Sequence, residues 1–203
     1  GLSMPAPLLL ATSLVPGADS ALQTAAVESW RKIGATVLSV NGATEVAALT
    51  KDYQHVTFIT AATTAERIAG KPVPYIHDLM KALRMACGDR AADCTVGIIN
   101  ADIHLRFQPA EIAAVIDGAR NAVILGSRVD VSSASNLAAF KPTGAETYSI
   151  GYDYFLMSGN VLDDFADSTF CLGMPFWDYW LPLIALLKGR TLRSLFAPVA
   201  LHV

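Results

Sequence analysis

Short apolar runs alternate along this chain with segments in which apolar positions recur at helical spacing. Continuous apolar runs at 8–14, 36–40 and 56–60 predict strands that are buried on both faces. Between them, apolar residues three and four positions apart predict helices over 22–33 and 44–49. Strands that alternate with helices in this way are typical of a parallel sheet covered by helices on both faces.

The later part of the chain continues this alternation less regularly. An irregular polar segment is expected over 63–74, and a long loop that covers the site is expected over 130–148. Helices are expected over 75–87, 110–120, 161–165 and 176–189, and Pro182 is expected near the first turn of the last one. Strands are expected to begin at residue 95, to cover 122–128 and 149–157, and to lie within 192–203.

The length and composition fit one large α/β domain. The 203 residues are 53% hydrophobic and only 16% charged, which is enough apolar surface for a core on each side of a sheet. We therefore predict a single three-layer α/β/α domain over 1–203 with a mixed, mostly parallel central sheet. Its nucleotide-binding half is expected at about 4–105 and its acceptor half at about 106–203.

The charge, the apolar runs and the cysteines limit which binding partners and which cellular compartment we expect. The net charge of -3 and the absence of clustered Lys and Arg argue against nucleic acid. No run of eighteen apolar residues predicts a transmembrane segment, although the apolar patch over 176–187 leaves membrane-surface association open. The three cysteines are odd in number and lack metal-ligand spacing, which favours buried thiols in a reducing cytoplasm. The oligomeric state is not readable from the sequence.

The most informative stretch is 95–105, where an apolar run ends in polar side chains. Asn100 and Asp102 are two residues apart, so in an extended segment they would point the same way. Ligands bind at the carboxyl ends of strands in open α/β sheets, and hydrated Mg²⁺ or Mn²⁺ prefers oxygen ligands. The alternative is an ordinary strand-end turn, in which Asn and Asp are common for backbone reasons.

Several motifs in order resemble the A-type fold of glycosyltransferases, the nucleotide-diphospho-sugar transferases. Asn100, Ala101 and Asp102 stand where that family has its D-x-D metal motif, and 126–128 is similar to a Gly-x-Arg strand end. The run Gly-Tyr-Asp-Tyr-Phe at 151–155 is similar to a strand that flanks acceptor sites. The resemblance implies that a nucleotide-diphosphate-sugar donor delivers its sugar to an acceptor, with Mn²⁺ or Mg²⁺ assisting departure of the diphosphate.

The resemblance also implies roles for individual residues. It places the metal on Asp102 and on His202 of the final strand, and the segment over 172–178 resembles one that delivers a catalytic acid at the start of a helix. Nucleotide binding is expected from Thr12, Arg67, Lys71, Asn100, Ala101 and Asp102, and substrate binding from Arg128, Asp153 and Trp177.

Asp178 is the candidate general base. It lies between Trp177 and Tyr179 in one of the least polar stretches of the chain, where a carboxylate is costly unless it is paired or functional. Burial there would raise its pKa toward the range that suits a base. The alternative is a helix-capping role, because Asp favours the first turn of a helix. Trp177 could stack on an acceptor sugar or could belong to the core.

Structural interpretations remain open for the other charged residues. Arg67 and Lys71 could neutralise phosphates or could belong to a solvated loop, and Asp153 could bind an acceptor hydroxyl or pair with Arg128. His202 lies one residue from the end of the sequence, where a histidine could also occur by chance.

Two other functions remain open at this stage. Asn100 replaces the first acid of the D-x-D motif, which favours a non-catalytic nucleotide- or carbohydrate-binding domain of the same fold. A nucleotidyltransferase would need a glycine-rich, basic phosphate loop after the first strand, and 12–17 is a poor one.

Overall fold

Ten strands are present in the computed structural model, which describes residues 6–203. The first five residues of the expected domain, including the start of its nucleotide-binding half, lie outside the described residues. The strands are β1 (Leu8–Thr12), β2 (Ala35–Asn41), β3 (Val56–Thr60), β4 (Thr95–Ile99), β5 (His104–Leu105), β6 (Val123–Gly126), β7 (Val129–Asp130), β8 (Tyr154–Ser158), β9 (Leu192–Leu195) and β10 (Ala200–His202).

Seven of these strands form one mixed, mostly parallel sheet. Its order is β3-β2-β1-β4-β8-β6-β9. Strands β1 to β4 are parallel to one another, β6 is parallel to β9, and β8 runs antiparallel to both β4 and β6. Because β1 and β4 are neighbours and parallel, the segments that follow them leave the sheet at the same edge.

Helices cover both faces of this sheet. Leu9 and Ala11 of β1 face one core and Leu8 and Leu10 face the other, because successive side chains of a strand point in opposite directions. The helices are α1 (Ser20–Lys32), α2 (Ala43–Leu49), α3 (Glu66–Ala69), α4 (Ile76–Cys87), α5 (Pro109–Ala119), α6 (Ala134–Ala139) and α7 (Trp177–Leu187), with 3-10 helices over Gly88–Asp93 and Gly159–Asp164. Helices α4 and α7 pack into the first core and α1 and α5 into the second, so the expected three-layer α/β/α class is confirmed.

Local sequence explains where the main helices begin and end. The Asp19 side chain accepts a hydrogen bond from the Leu22 amide at 3.1 Å and caps α1. The same helix ends just before Gly34, whose φ of 92° is readily adopted only by glycine. Helix α5 begins at Pro109, a residue favoured in a first turn because its missing N–H would be unpaired there.

A small second sheet carries the end of the chain to the site. Strand β10 lies between β5 and β7 in the order β5-β10-β7. It runs antiparallel to β5, where Leu201 pairs with His104, and parallel to β7, where His202 pairs with Asp130. The final histidine is therefore brought beside the polar stretch that follows β4.

Three expectations about local structure are wrong. The Asn-Ala-Asp segment is a turn and not an extended strand, since the Ile103 amide donates to the Asn100 carbonyl at 3.3 Å. The strand expected over 149–157 begins only at Tyr154, because Gly151 adopts a φ of 93° and turns the chain. Pro182 lies in the middle of α7 and not in its first turn.

The expected loop over 130–148 and the irregular segment over 63–74 each contain a short helix, α6 and α3. Helix α6 forms because Ser133 caps it, accepting the Asn136 amide at 3.1 Å.

Cys87, Cys94 and Cys171 are buried free thiols. Among residues 6–203, none of the helices is both long and apolar enough to cross a bilayer.

Candidate functional site

A cavity of about 1010 Å³ opens at the carboxyl ends of β1 and β4. One wall is the loop that follows β1, from Ser13 to Asp19, and the floor is the turn that follows β4. The opposite wall is formed by the turn before β8 and by the segment that leads into α7. The candidate residues that line it are Lys71, Asn100, Ala101, Asp102, Arg128, Asp153, Trp177 and Asp178.

Asp102 and His202 meet at the edge of this cavity. The His202 Nε2 atom lies 3.0 Å from the Asp102 Oδ2 atom, although the two residues are 100 positions apart in sequence. The other ring nitrogen, Nδ1, lies 3.1 Å from the Asp130 Oδ1 atom. The register of β10 against β7 explains this contact, since it places His202 directly beside Asp130.

These side chains fit a divalent cation chemically. A carboxylate oxygen and an imidazole nitrogen that bind one octahedral ion at about 2.1 Å along perpendicular directions lie about 3 Å apart. An imidazole ligand usually donates its other N–H to a carboxylate, which is the position that Asp130 occupies. Over residues 6–203, no group of three or more His, Cys, Asp or Glu side chains is arranged to hold a metal. The metal role of Asp102 and His202 stays a prediction.

Arg128, Asp153 and Asn100 form a second polar group at the cavity. The guanidinium of Arg128 donates to Asp153 Oδ1 at 2.8 Å and to Asp130 Oδ1 at 2.9 Å. Asn100 donates from its side chain to the same Asp153 oxygen at 3.3 Å. Burial raises the pKa of Asp153, and the Arg128 charge and the two hydrogen bonds offset part of that effect.

This group changes the interpretation of Asn100. Because the segment is a turn, Asn100 turns to Asp153 while Asp102 turns to His202, so the two side chains do not share one target. The pairing of Asp153 with Arg128, which the sequence left open, is present. Arg128 in turn links the second group to Asp130, which contacts His202.

Asp178 lies in the first turn of α7 and is half-buried at the cavity wall. Its Oδ2 atom accepts the backbone N–H of Tyr152 at 3.2 Å. Gly151 makes this contact sterically feasible, because a Cβ atom there would lie 2.8 Å from the same carboxylate oxygen. The carboxylate is therefore anchored to the turn before β8 and does not serve as a simple helix cap.

The remaining candidates divide into those at the cavity and those away from it. Trp177 is buried and packs edge-on against Phe155 at a centroid distance of 5.2 Å, so it belongs to the core while one part lines the cavity. Lys71 is exposed at the cavity. Thr12 and Arg67 do not line the cavity: Thr12 is fully buried within β1, and Arg67 is exposed on α3.

Sequence reasoning missed residues that shape the cavity. Gln23 holds the loop after β1 in place, accepting the Val15 amide at 2.9 Å and donating to the Val15 carbonyl at 3.1 Å. The signal was a glutamine on the apolar face of α1. His104 also lines the cavity, and burial, with the nearby Arg106 charge, lowers its pKa. Asp130 gave no signal, because its partner His202 is distant in sequence.

Comparison with known proteins identifies the fold. No protein-family model matches the sequence, and a search of curated proteins also finds no match. Among solved structures, HddC from Yersinia pseudotuberculosis superposes with a TM-score of 0.51 at 10% identity, over 95% of this chain and 90% of that one. The 4-diphosphocytidyl-2C-methyl-D-erythritol synthase from Anaerococcus prevotii superposes with a TM-score of 0.53 at 9% identity, over 94% of this chain and 88% of that one. At these identities the likeness is one of fold alone.

Proposed function

We propose that this protein is a nucleotide-sugar-dependent glycosyltransferase. The observation that supports this function best is that one cavity brings together Asp102, at the end of a buried strand, and Asp178, at the start of a helix. Transfer of a sugar needs charge that neutralises the departing diphosphate and a base for the acceptor hydroxyl. Asp102 lies on the floor of the cavity and Asp178 on its wall, which suits these two separate tasks.

The donor end of the proposed site is at Asp102 and His202. These two residues would hold Mn²⁺ or Mg²⁺, and the ion supplies positive charge against the diphosphate. Asp130 orients the His202 ring through Nδ1, at 3.1 Å. Lys71 adds a second positive charge on the cavity wall. The loop after β1, fixed by Gln23, contacts the nucleoside part of the donor.

The acceptor end of the proposed site is at Asp178. The acceptor oxygen bonds to the anomeric carbon as the bond from that carbon to the phosphate oxygen breaks, and the acceptor proton passes to the Asp178 carboxylate. The nucleoside diphosphate is the leaving group. The hydrogen bond from the Tyr152 amide holds one carboxylate oxygen at 3.2 Å, which fixes the orientation of the base. Trp177 supplies an aromatic edge against the acceptor.

A nucleotidyltransferase is the second candidate, because the fold also occurs in the synthase from Anaerococcus prevotii. Such a reaction releases pyrophosphate from a nucleoside triphosphate, and its phosphates need a basic loop or cradle. The cavity-lining loop over 13–19 has no Lys or Arg and includes Asp19. A loop without positive charge suits a diphosphate-sugar donor better than a triphosphate.

Two parallel assays separate these functions. In the first, the protein is incubated with Mn²⁺ and a panel of UDP- and GDP-sugars, and release of the nucleoside diphosphate is measured with and without simple glycoside acceptors. In the second, it is incubated with nucleoside triphosphates and sugar 1-phosphates, and pyrophosphate is measured. Release of UDP or GDP supports the proposal, pyrophosphate release supports a nucleotidyltransferase, and binding of nucleotide sugars without any turnover supports the non-catalytic domain. Either of the last two results refutes glycosyl transfer.

A further inference from the structure

Helix α7 is apolar on the side that faces away from the protein. Its inner face, with Trp177, Leu181 and Ala185, is buried in the core between the sheet and the helix. The outward face of the helix and the residue that precedes its first turn consist of large apolar side chains. They are Phe176, Tyr179, Leu183, Leu186 and Leu187, and their exposed fractions lie between 49% and 72%. A helix that is apolar all round normally has a partner on both sides.

The spacing of this outward face is that of a helix-packing seam. Phe176, Tyr179, Leu183 and Leu186 follow one another at intervals of three, four and three residues. This is the spacing at which two helices pack side by side, because it keeps one stripe of side chains facing the partner along the helix. We call the five outward side chains between 176 and 187 the α7 seam.

The exposed area is sufficient for a specific protein interface. At about 200 Å² for a large, fully exposed side chain, the α7 seam exposes on the order of 600 Å². Ile150, which is 93% exposed, adds to this area, because the next residue, Gly151, lies close to the Tyr179 hydroxyl. The total of about 800 Å² is what each partner buries in an interface of standard size, and it exceeds the largest apolar patch of a typical monomer.

The charges around the seam favour a second protein copy over a lipid bilayer. Helices that lie on membranes carry Lys and Arg along their polar flank. Helix α7 has neither residue, its only charged side chain is Asp178, and the whole chain has a net charge of -3. Two cations follow the helix within three residues, Lys188 and Arg190, and Arg190 is paired with Asp164 at 2.6 Å. An anionic bilayer would gain little electrostatic attraction from this face.

We propose that the α7 seam is the interface of a two-fold symmetric homodimer. An interface with a two-fold axis uses the same patch on both copies, so one self-complementary apolar stripe becomes buried on both copies at once. With the axis close to Leu183, the middle residue of the seam, the two helices run antiparallel and each Leu183 contacts its counterpart. Tyr179 and Leu187, four residues to either side, then face each other across the axis.

The first test measures the oligomeric state of the full chain by sedimentation equilibrium. The parent is compared with Leu183→Glu and with Met85→Glu, a matched control on α4 whose side chain is 83% exposed outside the seam. We expect the dimer dissociation constant to rise at least about thirtyfold in Leu183→Glu. This factor corresponds to about 2 kcal/mol, the contribution of one important residue at the centre of an interface. The control is expected to dimerise like the parent. Circular dichroism melting of each variant checks the fold.

A second test probes the position of the axis directly. Leu183→Cys should form a disulfide-linked dimer under mild oxidation, and Met85→Cys should not. The three native cysteines are buried, and the parent protein under the same oxidation is the control for them. A monomeric parent at about 100 µM, or a dimer that both Leu183 variants leave unchanged, overturns the proposal. Flotation of a monomeric parent with phosphatidylcholine vesicles, lost in Leu183→Glu alone, overturns it in favour of a membrane surface.

Discussion

Gly126 is the position where one added methyl group should lower the stability of the fold most. It ends β6 and is paired directly with Tyr154 of β8. The Tyr154 ring covers it so closely that a Cβ atom at residue 126 would lie 2.0 Å from two ring atoms. An aromatic ring that lies over a cross-strand glycine is a known way to fix strand register. We therefore predict that Gly126→Ala is strongly destabilising.

The magnitude follows from how far the ring must move. Ordinary contact begins at about 3.4 Å, so the ring has to shift by more than about 1 Å, and Tyr154 is only 1% exposed, so it must shift within the core. Overpacking a core costs about 1–3 kcal/mol, and we expect the upper end, about 3 kcal/mol. A domain stable by about 5–15 kcal/mol still folds after that loss. The shift would also disturb Asp153, the residue that precedes the ring.

Urea unfolding at equilibrium measures this prediction, with Gly118→Ala as the matched control. Gly118 lies in α5, where the nearest atom to an added Cβ is 3.8 Å away, so alanine should stabilise the protein by up to about 1 kcal/mol. Tyr154→Leu should relieve the clash, so Gly126→Ala should cost much less in that background. Equal unfolding free energies for the Gly126 and Gly118 variants would refute the reasoning.

Two further predictions concern the carboxylates of the candidate site. Asp178→Asn should lower the rate of sugar transfer at least about a hundredfold with donor affinity retained, measured as nucleoside diphosphate release; near-normal turnover would leave Asp178 a structural residue. Burial raises the pKa of Asp153, so the folded state binds the Asp153 proton more tightly than the unfolded state does. The resulting contribution to stability should be present below the unfolded pKa of about 3.9, and it should be lost as the pH rises through the pKa of the folded state. Urea unfolding at pH 4, 5 and 6 should show Asp153→Asn gaining stability relative to the parent as pH rises, and a constant difference contradicts this sign.

The regular part of the fold could be predicted from local pattern. Strand β3 has the expected bounds, 56–60, and β1, β2, α1, α4 and α5 lie close to theirs. Strands β1 and β2 are buried on both faces, and α1 and α5 have strong end signals, so local sequence and tertiary packing agree. The expectation that β3 is also buried on both faces is wrong, because β3 is an edge strand and is partly exposed. The fold class follows from their order, and the low-identity solved structures confirm it.

The details of the site depend on contacts that sequence spacing does not encode. Asn100 and Asp102 were expected to act together, but a turn at the end of β4 directs one to Asp153 and the other to His202. Thr12 was expected at the donor, but β1 extends through it and buries its side chain. In both cases the outcome depends on where a strand stops, which local pattern places only within a few residues.

The meeting of Asp102 with His202 could be anticipated only from the family resemblance. The pairing depends on β10 entering a small sheet between β5 and β7, and none of these strands is longer than three residues. Short strands carry little periodicity, so the alternation of polar and apolar residues cannot reveal this sheet. Asp130 was missed for the same reason, although its contact with His202 follows directly from the strand register.

Calorimetric titration with nucleoside diphosphates tests the central claim most directly. The parent protein and Asp102→Ala are each titrated with UDP and GDP, in Mn²⁺ and in EDTA, with Asp117→Ala as a control whose exposed carboxylate lies on α5 away from the cavity. We predict that one diphosphate binds the parent more tightly in Mn²⁺, and that Asp102→Ala loses this metal-dependent gain by at least about tenfold while Asp117→Ala keeps it. Equal affinities for the parent and Asp102→Ala in Mn²⁺, or no binding of either diphosphate to the parent, would contradict the proposed donor site.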